Sequence, residues 1–99
     1  MTAWGMCLDN TVERPQEKVI RPRSDSILHL TKIALEPDFP SGIGPTKVYL
    51  IINDQKFMIG LLGLNKMTEA LNIKIDSSVK IFKEGPSLVY VTGYEERIR

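Results

Sequence analysis

Short apolar segments recur along this chain, and turn-forming residues separate them. Trp4, Met6 and Leu8 alternate with small or polar residues, which is the period of two expected for a half-buried β-strand. Similar segments follow at short intervals, at residues 17–21, 27–35, 48–52, 56–62, 71–75, 79–83 and 88–92. About eight short strands with turns between them predict an all-β fold, either a closed barrel or a two-sheet jelly roll.

The segments between the strands are rich in turn residues. Asn53-Asp54 separates two segments of β-branched and aromatic residues, and both turn residues tolerate positive φ, so a hairpin is predicted there. Three prolines and two glycines between residues 36 and 46 predict a long surface loop. Helix is predicted for one turn at most, over residues 66–71, because residues 64–70 lack a sustained i, i+3, i+4 apolar stripe.

Two of the predicted strands carry apolar residues on both faces. With unbroken alternation, the segment over residues 27–35 places Leu28 and Leu30 on one face and Ile27, Ile33 and Leu35 on the other. The segment over residues 88–92 consists entirely of strand formers. A small barrel has only one interior, so the second apolar face is expected to be covered by another copy of the chain.

Composition is typical of an ordinary globular protein and does not favour disorder. The chain has 99 residues, of which 42% are hydrophobic and 25% charged, and a single domain over residues 1–99 is predicted. No apolar run is long enough for a membrane-spanning helix, and the first residues lack the features of a secretory signal. The formal net charge of +1 provides no bulk electrostatic attraction to nucleic acid or to basic partners.

Residues able to support catalysis or metal binding are sparse. Cys7 is the only cysteine, so it is expected to be a small, buried, apolar residue and not part of a disulfide or a zinc site. His29 is the only histidine and lies between two leucines, which favours a structural or interface role. No catalytic residues, metal or cofactor are therefore predicted. The large rings of Trp4, Phe57 and Phe82, together with that of Tyr90, lie in apolar strands and are expected in the core.

Three short motifs occur in a recognisable order. They are the opening Trp4-Gly5, the segment from Leu28 that ends Ala34-Leu35-Glu36-Pro37, and the closing segment from Gly85-Pro86 to Gly93-Tyr94. With these motifs the chain resembles the core domain of nucleoplasmin-type histone chaperones, in particular the amino-terminal nucleoplasmin-like domain of nuclear immunophilin prolyl isomerases. The resemblance implies an eight-stranded jelly-roll barrel that assembles as a homopentameric ring, binds core histones and assists nucleosome assembly in the nucleus.

The resemblance and the double-sided strands together suggest contact residues. The expected subunit interface consists of Ile27, His29, Leu88, Val89, Tyr90 and Val91. The expected histone-binding residues are the acids Glu36, Asp38, Glu95 and Glu96, because negative charge attracts basic histones. Neither a membrane nor a specific nucleic-acid sequence is an expected partner.

Two alternatives remain open at this point. Relatives of this kind usually carry acidic tracts, whereas this chain has only a few acids in its long loop and near residue 96. The first alternative is therefore that the domain is an oligomerisation scaffold for a fused prolyl isomerase domain and has little histone affinity of its own. A monomeric barrel that binds nucleic acid along the edge from Arg14 to Arg23 is the other alternative, although Glu13, Glu17 and Asp25 dilute that basic cluster.

Overall fold

A computed structural model describes residues 1–9, 16–36, 45–63, 65–85 and 87–98 of the chain. These residues form eight strands and no helix. The strands are β1 (Thr2–Leu8), β2 (Lys18–Ile20), β3 (Ser26–Leu35), β4 (Thr46–Ile52), β5 (Gln55–Leu62), β6 (Thr68–Ile75), β7 (Val79–Glu84) and β8 (Val89–Arg97). The all-β prediction is confirmed. The sequence did not favour a helical turn over residues 66–71, and none forms there, because β6 already begins at Thr68.

The strands pair as two four-stranded antiparallel sheets. The first sheet has the order β1-β8-β3-β6, and the second has the order β2-β7-β4-β5. Each strand of the first half of the chain pairs with one from the second half: β1 with β8, β2 with β7, β3 with β6 and β4 with β5. The chain is thus one long antiparallel ribbon, folded at the β4–β5 turn and rolled so that successive pairs fall in opposite sheets, which is the jelly-roll arrangement.

The hydrophobic core lies between the two sheets and draws residues from all eight strands. Its buried members are Leu8, Ile20, Leu28, Leu30, Ile33, Leu35, Val48, Leu50, Leu62, Ile75, Val79, Ile81, Val89 and Val91. Trp4 and Met6 pack against this core from β1. Each fully buried aliphatic side chain contributes about 1.5–3 kcal/mol relative to its exposed state.

A β-bulge in β3 changes which residues face the core. Leu30 lies opposite Gly93 and Lys32 lies opposite Thr92, so Thr31 is an extra residue in β3 relative to β8. One extra residue reverses the alternation of side chains. Ile33 and Leu35 therefore join Leu28 and Leu30 in the core, and their prediction on the opposite face is wrong.

The β4–β5 connection has the predicted conformation. Asn53 and Asp54 have φ values of 51° and 62°, as a two-residue hairpin turn of type I′ requires at both central positions. This turn fixes the pairing of Ile52 with Gln55 and, beyond it, the register of the second sheet. In the part of the chain that the structure describes, no helix has the length and apolarity needed to cross a membrane.

Candidate interaction surfaces

The outer face of the first sheet is the side of β1, β8, β3 and β6 that points away from the core. Four of the predicted interface residues lie outside the core on or beside this face. Leu88 and Tyr90 are 37% and 39% exposed, whereas Ile27 and His29 are partly buried. These four residues are therefore available for contact with another molecule.

The other two predicted interface residues belong to the core. Val89 and Val91 are 0% exposed, and they lie opposite Leu8 and Met6 of β1 on the inner side of the sheet. Since the chain itself already encloses both side chains, they are core residues and not contact residues. Alternation along β8 separates them from Tyr90, which points outward.

His29 takes part in a cross-strand cluster on the outer face of the first sheet. Its ring stacks on that of Tyr94, its register partner in β8, with 4.5 Å between ring centroids and 13° between planes. His29 Nε2 lies 2.9 Å from Glu96 Oε1. In this contact the imidazole donates and the carboxylate oxygen accepts. The cluster orients three polar side chains on the surface, and its members form no catalytic triad.

A second hydrogen bond orders the opposite end of the same face. The Tyr90 hydroxyl donates to Glu36 Oε2 at 2.6 Å. This bond, and the negative charge of the carboxylate, raise the pKa of Tyr90 above its ordinary value. Glu36 is thereby held next to an exposed aromatic ring.

The acids predicted for histone binding do not form one patch. Glu95 is paired with Arg23, whose Nε lies 3.8 Å from Glu95 Oε1, while Glu96 accepts from His29 on the other side of the strand. Tyr90, which binds Glu36, lies six residues before Glu96 along β8, or roughly 20 Å. Asp38 lies outside the described residues. The three described acids each have a partner within the chain, and they lie at separate points of the surface.

The basic edge considered for nucleic acid is also internally paired where it is described. Lys18 Nζ lies 3.0 Å from Asp9 Oδ1, and this contact lowers the pKa of the Asp9 carboxyl, the hydrogen bond being the larger cause. Arg21 Nε donates to Ser78 Oγ, and Arg23 pairs with Glu95. Arg14 lies outside the described residues. The described cations therefore have neighbouring acids or hydroxyls and do not form a uniform positive stripe.

A buried lysine escaped the sequence prediction. Lys83 is 2% exposed and shares the inner face of β7 with Val79 and Ile81, and its Nζ donates to the carbonyl oxygen of Gly85 at 2.9 Å. Burial lowers the pKa of Lys83, and the charge of Asp9 offsets part of that effect. The alternation of side chains along β7 was the sequence signal that could have placed Lys83 on the same side as Val79 and Ile81. Among the described residues, no group of three or more His, Cys, Asp or Glu side chains is placed to hold a metal ion.

The outer face of the second sheet carries a second set of surface residues. Tyr49 and Phe82 are register partners whose rings stack with centroids 5.2 Å apart, and Lys56 extends over both rings. Val19, Met58 and Leu61 are apolar residues with about half of their surface exposed on this face.

Of the large rings expected in the core, only that of Trp4 packs against it. Phe57 and Tyr90 are substantially exposed, so their assignment to the core is wrong. Phe82 is partly buried on the outer face of the second sheet instead, where it stacks on Tyr49. Composition alone does not distinguish an apolar residue on an outer face from one in the core.

Comparisons with known proteins agree with this architecture. The nucleoplasmin-like domain family matches residues 3–96 of the chain. The nucleoplasmin-like N-terminal domain of Drosophila FKBP39 has a similar fold, with a TM-score of 0.75 and 17% identity over 99% of this chain and 91% of that one. The Drosophila NLP core, a structure described for its insight into pentamer formation and histone binding, has a TM-score of 0.80 and 16% identity over 98% of this chain and 100% of its own.

The two kinds of comparison carry different weight. No curated protein matches the chain in sequence. At 16–17% identity the two Drosophila structures show a shared fold and nothing more. The family match spans nearly all of the chain, including both sheets and the three motifs that suggested the resemblance. The chain belongs to the nucleoplasmin-like domain family.

Proposed function

We propose that this chain is the subunit of a ring-shaped homopentamer that binds core histones in the nucleus and assists nucleosome assembly without catalysing a reaction. The observation that carries the proposal is the family match over residues 3–96, which includes all of the strands except the ends of β1 and β8. The jelly roll supports it because its core is complete within one chain while apolar residues remain on its outer faces.

Ring assembly requires a contact of a particular kind. Around a cyclic ring, each subunit presents two different surfaces, one to each neighbour. The outer face of the first sheet supplies one such surface, formed by Ile27, His29, Leu88 and Tyr90. Leu88 and Tyr90 would lose their remaining exposure in such a contact, and His29 is already positioned by Tyr94.

Histone binding would depend on repeated acidic sites around the ring. Glu36, Asp38, Glu95 and Glu96 are the proposed acids, and a pentamer presents five copies of each. Multivalent contacts raise the overall affinity well above that of a single weak site. Binding is therefore expected to weaken with salt, as for any contact between exposed charges.

The test is a titration of the assembled protein with core histones at several salt concentrations. The double variant Glu36→Gln with Glu96→Gln is expected to lower the affinity several-fold. Glu17→Gln removes a similarly exposed acid, which pairs with Lys80 on the second sheet, and is expected to leave the affinity unchanged. Equal affinities for the unmodified protein and the double variant would exclude these acids as the histone site.

The alternative function is an oligomerisation scaffold for a fused prolyl isomerase domain. Two observations favour it: the net charge of the chain is +1, and the described acids are already paired within the chain. An oligomer that fails to retain core histones in a pull-down would support the scaffold. Salt-sensitive histone binding by the chain alone would rule it out.

A further inference from the structure

One ammonium group on the outer face of the second sheet contacts three groups that bind cations. Lys56 Nζ lies 4.2 Å from the ring centroid of Tyr49 and 4.7 Å from that of Phe82. The same nitrogen lies 3.0 Å from Glu84 Oε1. Two aromatic faces and a carboxylate thus converge on a single position, which is the combination that proteins use to hold ammonium and guanidinium groups.

The strand pairing places the two rings side by side independently of Lys56. Tyr49 of β4 lies directly opposite Phe82 of β7, and the stacked rings are tilted by only 21°. Glu84 is two residues beyond Phe82 on β7 and therefore projects from the same face. Lys56 reaches this position from the neighbouring strand β5, where its register partner is Ile51. The strand register sets the positions of the two rings, whereas Lys56 and Glu84 are flexible side chains at the surface.

The lysine is held only by contacts of the kind that exposed side chains exchange readily. Lys56 and Glu84 have side chains that are 45% and 51% exposed. An ion pair at such exposure contributes about 1 kcal/mol or less, and an exposed cation–π contact contributes about 0.5–1 kcal/mol. The free-energy cost of displacing Lys56 from this position is therefore small.

We propose that Tyr49, Phe82 and Glu84 form a binding site for one basic side chain of a polypeptide partner, and that Lys56 fills this site until the partner displaces it. Only one part of this inference rests on the proposed function: the basic side chain would come from a histone, because histones are basic polypeptides. Arginine suits the site because its guanidinium group stacks on aromatic rings and pairs with a carboxylate at the same time.

Two further lysines lie on the same face of the sheet. Lys47 lies opposite Glu84, and Lys80 lies opposite Ile51 on the same face. Lys80 is paired with Glu17, and the site itself combines two rings with one carboxylate. Binding here is therefore expected to depend on ring contact more than on bulk charge and to show a weaker salt dependence than binding to the acids of the first sheet.

The experiment is an NMR titration of the intact chain with a short peptide that contains one arginine among neutral residues. Shifts of the Tyr49 and Phe82 ring signals report binding at this site. Lys56→Gln opens the site and is expected to tighten binding about tenfold, whereas Phe82→Ala and Glu84→Gln are expected to weaken it several-fold. Circular dichroism confirms that each variant retains the fold.

Lys47→Gln is the matched control. It removes the same charge from the same face, but in the described structure the Lys47 ammonium is not placed over either ring, so it is expected to change affinity less than twofold. Equal tightening by Lys56→Gln and Lys47→Gln, or no tightening by either, would overturn the inference. If the Phe82→Ala variant still binds core histones, the proposed function stands whether or not this site exists. If the unmodified chain does not bind core histones, the proposed function is wrong, but the inference about this site is unaffected.

Discussion

At the scale of single residues, Gly93 of β8 lies directly against the backbone of β3. A Cβ atom there would overlap the carbonyl oxygen of His29 and lie 3.2 Å from the Cα of Leu30. Both are backbone atoms in the middle of the sheet, so they cannot move aside without parting the strands. We expect Gly93→Ala to lower the free energy of unfolding by about 2–3 kcal/mol in urea denaturation at fixed protein concentration.

Gly5 supplies the matched comparison from the same sheet. The nearest atom to a Cβ at Gly5 is the carbonyl oxygen of Val91 at 3.7 Å, an ordinary contact. Gly5→Ala is therefore expected to change the free energy of unfolding by about 0.5 kcal/mol or less. If both substitutions had the same effect, steric overlap at Gly93 would not be the cause. The sequence showed a glycine between Thr92 and Tyr94 but not the strand that lies against it.

Lys83 predicts a dependence of stability on pH. Burial lowers its pKa in the folded protein below the unfolded value, so the folded state holds this proton less firmly. In the interval between the lowered pKa and about 10.5, the unfolded state binds more protons at this residue, and stability attributable to Lys83 rises with pH. Lys83→Met is therefore expected to be at least as stable as the unmodified protein at pH 7.

The comparison of the two proteins over a pH series tests this effect, because they differ only at residue 83. The advantage of Lys83→Met in urea unfolding is expected to shrink as the pH rises towards 10.5. An advantage that grows over this range would have the opposite sign from the one that burial of the ammonium group requires. The Gly85 carbonyl, which accepts from Lys83 Nζ, loses its donor in this variant and limits the size of the gain.

At the scale of the strand, the bulge at Thr31 decides the composition of the core. Deleting Thr31 would remove the extra residue, so a regular strand would keep the four buried residues of β3 on the core side and leave Lys32 opposite Thr92. Because no buried side chain changes face, the deletion is expected to lower the free energy of unfolding in urea by about 1 kcal/mol or less.

Thr31→Ala keeps the bulge and serves as the control for this deletion. It removes only the hydrogen bond from Thr31 Oγ1 to the Thr92 carbonyl, which is 3.3 Å long. Its expected cost is about 1 kcal/mol or less. A deletion that costs much more than this substitution would show that the sheet needs the bulged backbone itself and not only the residues that face the core.

The strands illustrate what local sequence does and does not determine. The turn at Asn53-Asp54 was predictable, because the conformational preference belongs to the two residues themselves. The bulge in β3 was not, since an extra residue is defined only by the strand opposite. The sequence also predicted that the last strand ends at Thr92, whereas β8 continues to Arg97. Pairing with β1 and β3 holds this polar continuation in the strand, and that pairing is not visible in the local sequence.

Local sequence determines the candidate surfaces only in part, for the same reason. Alternation along residues 88–92 separates Tyr90 from Val89 and Val91, but it does not say which set faces inward until β1 and the core are in place. The site formed by Tyr49 and Phe82 depends on two strands, β4 and β7, that are separated by 26 residues of the chain. Such cross-strand pairs have no local signature in the sequence.

At the scale of the whole molecule, the proposed subunit contact predicts different results for neighbouring positions. Leu88→Asp and Tyr90→Asp place a charge on the outer face, which the single chain tolerates but a buried contact does not. Each is expected to give a folded protein of lower mass, because an unpaired charge in the contact costs several kcal/mol. Val89→Asp places the charge in the core and is expected to abolish folding.

Circular dichroism and light scattering distinguish these outcomes. Loss of β-structure in Leu88→Asp and Tyr90→Asp would mean that the two side chains support the fold itself. Retention of both the fold and the full oligomer mass in both variants would place the subunit contact on another face.

The most direct test of the central claim is the absolute mass of the unmodified chain, measured by light scattering during size-exclusion chromatography. A pentameric ring predicts a mass about five times that of the 11.2 kDa chain, constant across the eluting peak. A mass equal to one chain at micromolar concentration would contradict the ring, because the outer face of the first sheet would then have no second copy to cover it.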